Sequence, residues 1–154
     1  MSAKSAAGTK GAEESGAPLH PGWLPVLGRV PLFQSLSQRH LRRVGRLAEM
    51  KRFGKGAQVV RAGARGDAFY VILDGGAEVA TPRGRTRKLK QGDYFGELAL
   101  FDGAPRAATV TATGVLTTAR IGRAAFQKLL KDEPAIGVGF AHGLVAIVRD
   151  LQEA

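Results

Sequence analysis

The chain has 154 residues, with 23 lysines and arginines against 13 aspartates and glutamates, and a formal net charge of +10. This length allows one domain with a proper hydrophobic core and excludes a sensor and an effector of ordinary size side by side. The chain contains no cysteine, which excludes disulfides, thiolate catalysis and the common structural zinc sites, and is consistent with a reducing cytoplasm, where we place the protein.

The first residues are predicted to form a flexible tail, residues 1–22, ahead of a single domain, residues 23–154. Small and polar residues dominate up to about Ala17, after which four prolines and Trp23 mark the start of the domain. The tail lacks the apolar stretch of a secretory signal. The three histidines are scattered without acidic neighbours at ligand spacing, so no metal site is predicted.

A run of short strands is predicted between one helix and two others. Ser37 is expected to cap the first helix, whose apolar face comprises Leu41, Val44, Leu47 and Ala48. Up to about residue 121, strand-like runs follow: AQVVRA, AFYVILD, AEVATP, TRKLK, RAATVTAT and VLTTARI. Gly75-Gly76 and TPRGRT are predicted to be hairpin turns. RAAFQKLLKD then predicts a second helix, and Pro134 begins a third. Strands at this spacing favour a sandwich or a barrel.

The most apolar stretch, AIGVGFAHGLVAIV at residues 135–148, is interpreted as a buried helix. It is shorter than the roughly 18 to 20 residues that span a bilayer, so no membrane span is predicted. Three glycines weaken this helix by about 1 kcal/mol each unless another element packs closely against them: Gly137, Gly139 and Gly143. The exposed apolar stripes of such a helix favour either a mobile lid or a helix–helix contact in a homodimer.

The stretch FGELALFDGAPRAATV, residues 95–110, combines one glycine-acid pair, a tight turn and one arginine. Gly96 allows close approach of a ligand to the backbone, and the unpaired N–H groups of a short helical turn attract an anion. The guanidinium of Arg106 can bind two phosphate oxygens at once. Glu97 would repel a phosphate, and a ribose hydroxyl is a suitable donor to it. These features fit a cyclic mononucleotide, although an exposed Glu97–Arg106 salt bridge is the alternative.

The same stretch resembles the phosphate-binding cassette of cyclic nucleotide-binding domains. VPLF, AGARGDAFYVILDGGAEV and the late F…LL…P pattern extend the resemblance over residues 30–151. It implies a mainly β fold with flanking helices: an eight-stranded antiparallel β-roll or jelly-roll barrel with an N-terminal helix and two C-terminal helices.

The resemblance also implies roles for individual residues. Glu97 would accept a hydrogen bond from the ribose 2′-hydroxyl, and Arg106 would pair with the exocyclic phosphate oxygens. Further backbone contacts to the sugar-phosphate would come from Gly96, Leu98, Ala99 and Ala107. Members that prefer cGMP often carry threonine or serine at the position of Ala107, so alanine favours cAMP. The candidates for a lid over the base are Phe140, Leu144, Ile147, Val148 and Leu151.

We therefore predict a stand-alone bacterial receptor that binds cAMP, has no other cofactor and no enzymatic activity, and moves its C-terminal helices when the ligand binds. Its output would pass to a downstream protein partner or to a second copy. The alternatives are a cGMP or cyclic-dinucleotide receptor, or a basic nucleic-acid or protein-docking module with a vestigial pocket. Nucleic-acid binding is not favoured, because no helix-turn-helix or RNA-binding signature accompanies the basic residues. These form two clusters: Arg39, Arg42, Arg43, Arg46, Lys51, Arg52 and Lys55, and Arg83, Arg85, Arg87, Lys88 and Lys90.

Overall fold

A computed structural model of the chain describes residues 16–153. Residues 1–15 of the predicted tail lie outside this part. The remainder of the predicted tail contains regular structure, because Ala17–Pro18 form a short strand and Pro21–Trp23 form a 3-10 turn. Regular structure therefore begins before Trp23.

Nine strands are present in the described part of the chain. They are β1 (Ala17–Pro18), β2 (Glu49–Phe53), β3 (Gln58–Val60), β4 (Ala68–Asp74), β5 (Ala77–Ala80), β6 (Thr86–Leu89), β7 (Tyr94–Phe95), β8 (Thr109–Ala112) and β9 (Leu116–Gly122). The four α-helices are α1 (Leu24–Gly28), α2 (Gln38–Leu47), α3 (Arg123–Asp132) and α4 (Pro134–Glu153). Short 3-10 turns at Pro31–Phe33 and Glu97–Leu100 complete the elements that position the site.

The strands form two antiparallel sheets, in the order β1-β2-β9-β4-β7 and β3-β8-β5-β6. This confirms the predicted mainly β class with flanking helices. The strands missed by the sequence interpretation are β1, β2 and β7. Two of these have only two residues each, too few to show an alternating pattern.

One of the two predicted hairpins is wrong. Gly75-Gly76 joins β4 to β5, and these strands belong to different sheets, so the pair forms a corner. Gly75 has a φ of +90°, and the carbonyl oxygen of Val115 occupies the space that a Cβ would need. The TPRGRT hairpin is confirmed, because β5 and β6 pair in register around Gly84, which has a φ of +88°.

Two hydrophobic clusters share β4, which is buried on both faces. Phe69, Val71 and Leu73 belong to a cluster with the helices, and Tyr70 and Ile72 belong to a cluster between the sheets. Successive side chains of a strand point to opposite faces, so this single strand joins the helices to the second sheet.

Helix α2 has the predicted cap and face. The hydroxyl of Ser37 accepts a hydrogen bond from the backbone N–H of His40 at 3.1 Å, and Leu41 and Val44 are buried. The bounds of α3 are those of the predicted segment, and Pro134 begins α4 as predicted.

The interpretation of the last helix as buried is wrong for its second half. Ile136 and Phe140 are buried, but Val145, Val148 and Leu151 are 50%, 51% and 73% exposed. Helix α4 also has 20 residues, more than the apolar stretch suggested. By length and composition it is the one helix among the described residues that could cross a membrane, with a mean hydropathy of 1.3 over 134–152; one such helix is weak evidence for a span.

Candidate functional site

A cleft of about 420 Å³ lies between strands of the two sheets and the segment that follows β7. Five of the six residues predicted to bind ligand line it: Gly96, Glu97, Ala99, Arg106 and Ala107. The sixth, Leu98, lies in the 3-10 turn Glu97–Leu100, and its side chain is not described. The structure thus brings the acid and the arginine of the predicted site into one cavity.

The backbone of Arg106 is fixed by the loop that precedes β4. Its N–H donates to the carbonyl oxygen of Ala64 at 2.7 Å, and its own carbonyl oxygen accepts from the N–H of Gly63 at 2.8 Å. Next to it, Arg65 and Pro105 form an isolated β-bridge. Hydrogen bonds on both sides of one residue restrict where its side chain can begin.

The guanidinium of Arg106 lies against backbone atoms. Its Nη2 donates to the carbonyl oxygen of Ala68 at 2.7 Å. A Cβ on Gly96, whose φ is +81°, would contact Nη1 and would lie 3.3 Å from Cζ of Arg106. Glycine at position 96 therefore has a defined role, because it leaves room for the guanidinium.

Arg106 and Glu97 do not form an ion pair: within the described residues, no salt bridge of 4 Å or less joins them. The salt-bridge alternative is therefore not the arrangement seen. Burial lowers the pKa of Arg106, and the nearby Tyr70, Asp67 and Glu97 act in the opposite direction. A guanidinium remains charged throughout the physiological range, so the cleft contains a partly desolvated cation.

The Arg106 side chain has donors in excess of its protein acceptors. A guanidinium carries five N–H donors in a fixed plane, and among the described residues one acceptor pairs with it, the backbone carbonyl oxygen of Ala68. Glu97 is half-buried and lines the same cleft with its own acceptors. Together the two side chains can bind a ligand that offers an anion and a hydroxyl group.

The sequence interpretation missed the apolar and basic residues of the opposite wall: Val60, Val79, Arg87 and Val110. It assigned Arg87 to a surface cluster. In the structure, Arg87 pairs with Val79 across β5 and β6, and Leu89, two residues further along β6, is buried. The alternation in TRKL places Arg87 on the same face as the apolar Leu89, because residues two apart in a strand share a face, but it does not show which strand lies beside it.

Two aromatic side chains complete the cleft. Phe95 stacks on Tyr70 with ring centroids 5.1 Å apart and an interplanar angle of 12°. Tyr94 also lines the cleft, and burial raises its pKa; the charge of Glu97 adds to this rise and that of Arg87 opposes it. The charges of Glu97 and Arg87 therefore both act on the ionisation of the Tyr94 hydroxyl.

The five lid candidates do not line the cleft in this structure. Phe140 packs in the core, with its ring centroid 5.3 Å from that of Phe33 and 4.6 Å from that of Phe126. Leu144 packs against the same cluster, Ile147 is half-buried, and Val148 and Leu151 are exposed. Across residues 16–153, no group of three or more histidines and acids has the geometry of a metal site.

The family model for the cyclic nucleotide-binding domain matches residues 50–133, more than half of the chain. This chain belongs to the cyclic nucleotide-binding domain family.

Relatives and solved structures agree with this assignment. A cAMP-dependent protein kinase regulatory subunit from Mycosarcoma maydis is 42% identical over 110 residues, which cover 66% of this chain and 21% of the relative. The chain thus spans about a fifth of that relative's length. The N-terminal domain of a transcriptional regulator from Streptomyces coelicolor has a TM-score of 0.74 at 27% identity, covering 84% of this chain and 96% of that one. The regulatory domain of Toxoplasma gondii PKA, crystallised with cAMP, has a TM-score of 0.68 at 28% identity, covering 86% and 49%.

Proposed function

We propose that this chain is a non-catalytic receptor that binds cAMP in the 420 Å³ cleft. The single observation that carries the proposal is the position of Arg106, a partly buried cation that lines the cleft together with Glu97, with which it forms no ion pair among the described residues. The guanidinium would bind two phosphate oxygens, and Glu97 would accept a hydrogen bond from the ribose 2′-hydroxyl.

The preference for cAMP is supported by two observations. Ala107 lines the cleft and offers no hydroxyl to a guanine base. The curated relatives are named as regulatory subunits of cAMP-dependent kinases. Calorimetry with cAMP, cGMP and a cyclic dinucleotide in turn compares this proposal with its alternatives, and tighter binding of either alternative would overturn the preference.

Ligand-linked movement of α3 and α4 is part of the proposal. Helix α4 is anchored by Ile136 and Phe140, but its second half exposes apolar side chains that could cover a ligand. Binding would favour the arrangement in which this half approaches the cleft. Amide hydrogen exchange over residues 123–151 should slow with saturating cAMP, and unchanged exchange would contradict the movement.

The proposal also includes a protein partner that receives the signal of ligand binding. A downstream protein or a second copy could bind the exposed apolar side chains of α4, namely Val138, Val145, Val148 and Leu151. Sedimentation of the chain with and without cAMP tests the second copy. We further propose a bacterial cytoplasmic location, which the chain's lack of cysteine supports.

The first experiment is calorimetric titration of cAMP into the wild type, Arg106→Ala and Arg106→Lys. We expect micromolar or tighter binding by the wild type, a loss of roughly ten- to a hundredfold in Arg106→Ala, and an intermediate affinity for lysine, which keeps the charge but not the bidentate geometry. Arg42→Ala is the matched control, because Arg42 is exposed on α2 and does not line the cleft. No binding by folded wild-type protein, or equal losses at both positions, would refute the proposal.

A further inference from the structure

Strand β6, at one edge of the four-stranded sheet, and the turn before it carry a dense positive charge. We call residues 77–90, which comprise β5, the TPRGRT turn, β6 and the residue that follows it, the basic hairpin. Residues 83–90 of this hairpin include five exposed cations: Arg83, Arg85, Arg87, Lys88 and Lys90. Such a concentration of like charge attracts anionic partners at a distance.

Protein carboxylates do not neutralise this charge. Within the described residues, none of the five cations has an acidic group within 4 Å, and this includes Lys88, which faces Glu78 across the strand pair. Other basic side chains are paired: Arg43 with Glu133, Arg120 with Glu49 and Asp67, and Lys128 with Asp132. The basic hairpin therefore retains its charge for an external partner.

The strand that carries the charge is also an open edge. In the described sheet β3-β8-β5-β6, β6 pairs with β5 on one side and has no strand on the other. An edge strand offers unpaired N–H and C=O groups, which an extended chain can bind as an added strand.

Charge and edge geometry together select one kind of occupant. A second copy of this edge would bring its own five cations against the first five, so basic edge strands repel each other. Single-stranded nucleic acid binds through aromatic stacking as well as charge, and residues 81–90 contain no aromatic side chain. An extended acidic polypeptide satisfies both the charge and the free backbone groups.

We infer that the basic hairpin is a docking edge for an acidic, extended segment of a partner protein, which adds as a strand beside β6. Lys88 lies on the face of the sheet that carries Glu78, whereas Arg87 and Val79 face the cleft. Acidic side chains of the added strand would reach Lys88 from the face away from the cleft, and Arg83 and Arg85 at the turn that precedes β6. The inference does not depend on the proposed nucleotide, so it can be tested in its absence.

The test uses fluorescence anisotropy with the full chain and a labelled peptide in which glutamate alternates with threonine. We expect saturable binding that weakens with salt, and a loss on the order of tenfold in the double variant Arg85→Glu, Lys88→Glu. The matched control is Arg42→Glu, Arg46→Glu, which changes the net charge by the same amount at exposed positions of α2. If the reversed hairpin variant does not fold, Arg85→Gln, Lys88→Gln replaces it, with Arg42→Gln, Arg46→Gln as its control.

Two further probes separate the mechanisms. The same peptide with N-methyl groups on alternate backbone nitrogens keeps its charge but cannot pair along an edge, so it should bind much more weakly. The second probe is a single-stranded DNA oligonucleotide of equal charge, which should bind less tightly than the peptide. The inference is overturned by equal losses in the hairpin and α2 variants, by undiminished binding of the methylated peptide, by tighter binding of the DNA, or by no binding of the peptide.

Discussion

The position of Arg106 depends on a residue that has no side chain. The guanidinium occupies space that a Cβ at position 96 would enter, and the backbone of Gly96 has a φ of +81°, which other residues rarely adopt. The same guanidinium is fixed by its hydrogen bond to Ala68. The functional geometry at this point therefore depends on glycine as much as on arginine.

Gly96→Ala should impair ligand binding more than folding. The positive φ costs about 1 kcal/mol or more for any L-residue, and the new methyl group would also displace the guanidinium. Gly84→Ala is the matched control, because Gly84 has a φ of +88° but open space around its Cβ position. We expect similar losses in urea unfolding for both variants, and a loss of cAMP affinity of roughly tenfold or more for Gly96→Ala alone. Equal affinities would show that Arg106 tolerates a side chain at position 96.

Arg87 should affect which base the cleft accepts. Guanine presents two acceptors, O6 and N7, on the edge where adenine presents one acceptor and one donor, and a guanidinium pairs best with two acceptors. Arg87→Ala should therefore weaken cGMP more than cAMP, by a factor of about five to a hundred. Titrations of both nucleotides into the variant check this. Lys88→Ala on the opposite face of the same strand should leave the ratio of the two affinities unchanged.

The residues of the site were predictable where they are close in sequence. Gly96, Glu97 and Arg106 lie on one segment, so their types and spacing could be interpreted together. Arg87 and Val79 come from separate strands, and their position in the cleft depends on the pairing of β5 with β6. Register is a property of the folded sheet, and a short, mostly charged strand such as TRKL specifies it weakly in sequence.

At the level of elements, the glycines of α4 mark where the helix meets the rest of the domain. A Cβ at Gly143 would lie 2.6 Å from the carbonyl oxygen of Leu32 and 2.9 Å from that of Pro31. At Gly137 the nearest atom would be 3.8 Å away, at Leu130. Of the two alternatives for this helix, a weak helix or a closely packed neighbour, the structure shows the second at Gly143, where the neighbour is the Pro31–Phe33 turn.

Alanine substitutions in α4 should therefore have opposite effects on stability. Gly137→Ala should stabilise the fold by up to about 1 kcal/mol, because alanine favours the helix and nothing obstructs its methyl group. Gly143→Ala should destabilise it by about 1–3 kcal/mol, because backbone atoms cannot move aside as a flexible side chain can. Urea unfolding of both variants measures the difference. A Gly143→Ala variant that is as stable as the wild type, or more stable, would mean that the contact with the Pro31–Phe33 turn is not rigid.

Elements with a strong pattern were predicted well, and those defined by their neighbours were not. Helix α2 carries a clear apolar face and a capping serine, α3 carries an apolar face with Phe126 and Leu129, and the structure confirms both helices. The burial of α4 could not be predicted, because most of its residues up to Val148 are apolar while its core contacts are concentrated between Ile136 and Leu144. Likewise, a glycine pair between two strands predicts a turn, but whether the strands share a sheet depends on the packing of the whole domain.

At the scale of the whole molecule, polar contacts connect helix α2 with the junction between the two C-terminal helices, α3 and α4. Arg39, His40 and Arg43 of α2 surround the carboxylate of Glu133, the residue between α3 and α4. Arg39 and His40 each approach it at 3.2 Å, and Arg43 donates to the same group. The Glu133 side chain is only 14% exposed, so the two arginines compensate a carboxylate that has lost most of its water.

Glu133→Gln should accordingly destabilise the whole domain. The amide cannot replace the charge that the three basic side chains share, and burial makes that loss larger than at the surface, so we expect about 1–3 kcal/mol in urea unfolding. Asp132→Asn is the matched control: the adjacent Asp132 pairs with Lys128 at 3.0 Å, but both side chains are more than half exposed. Its loss should stay within about 0.5 kcal/mol. If Glu133→Gln costs no more than the control, the cluster does not contribute to the connection between α2 and the α3–α4 junction, and that connection depends on apolar packing alone.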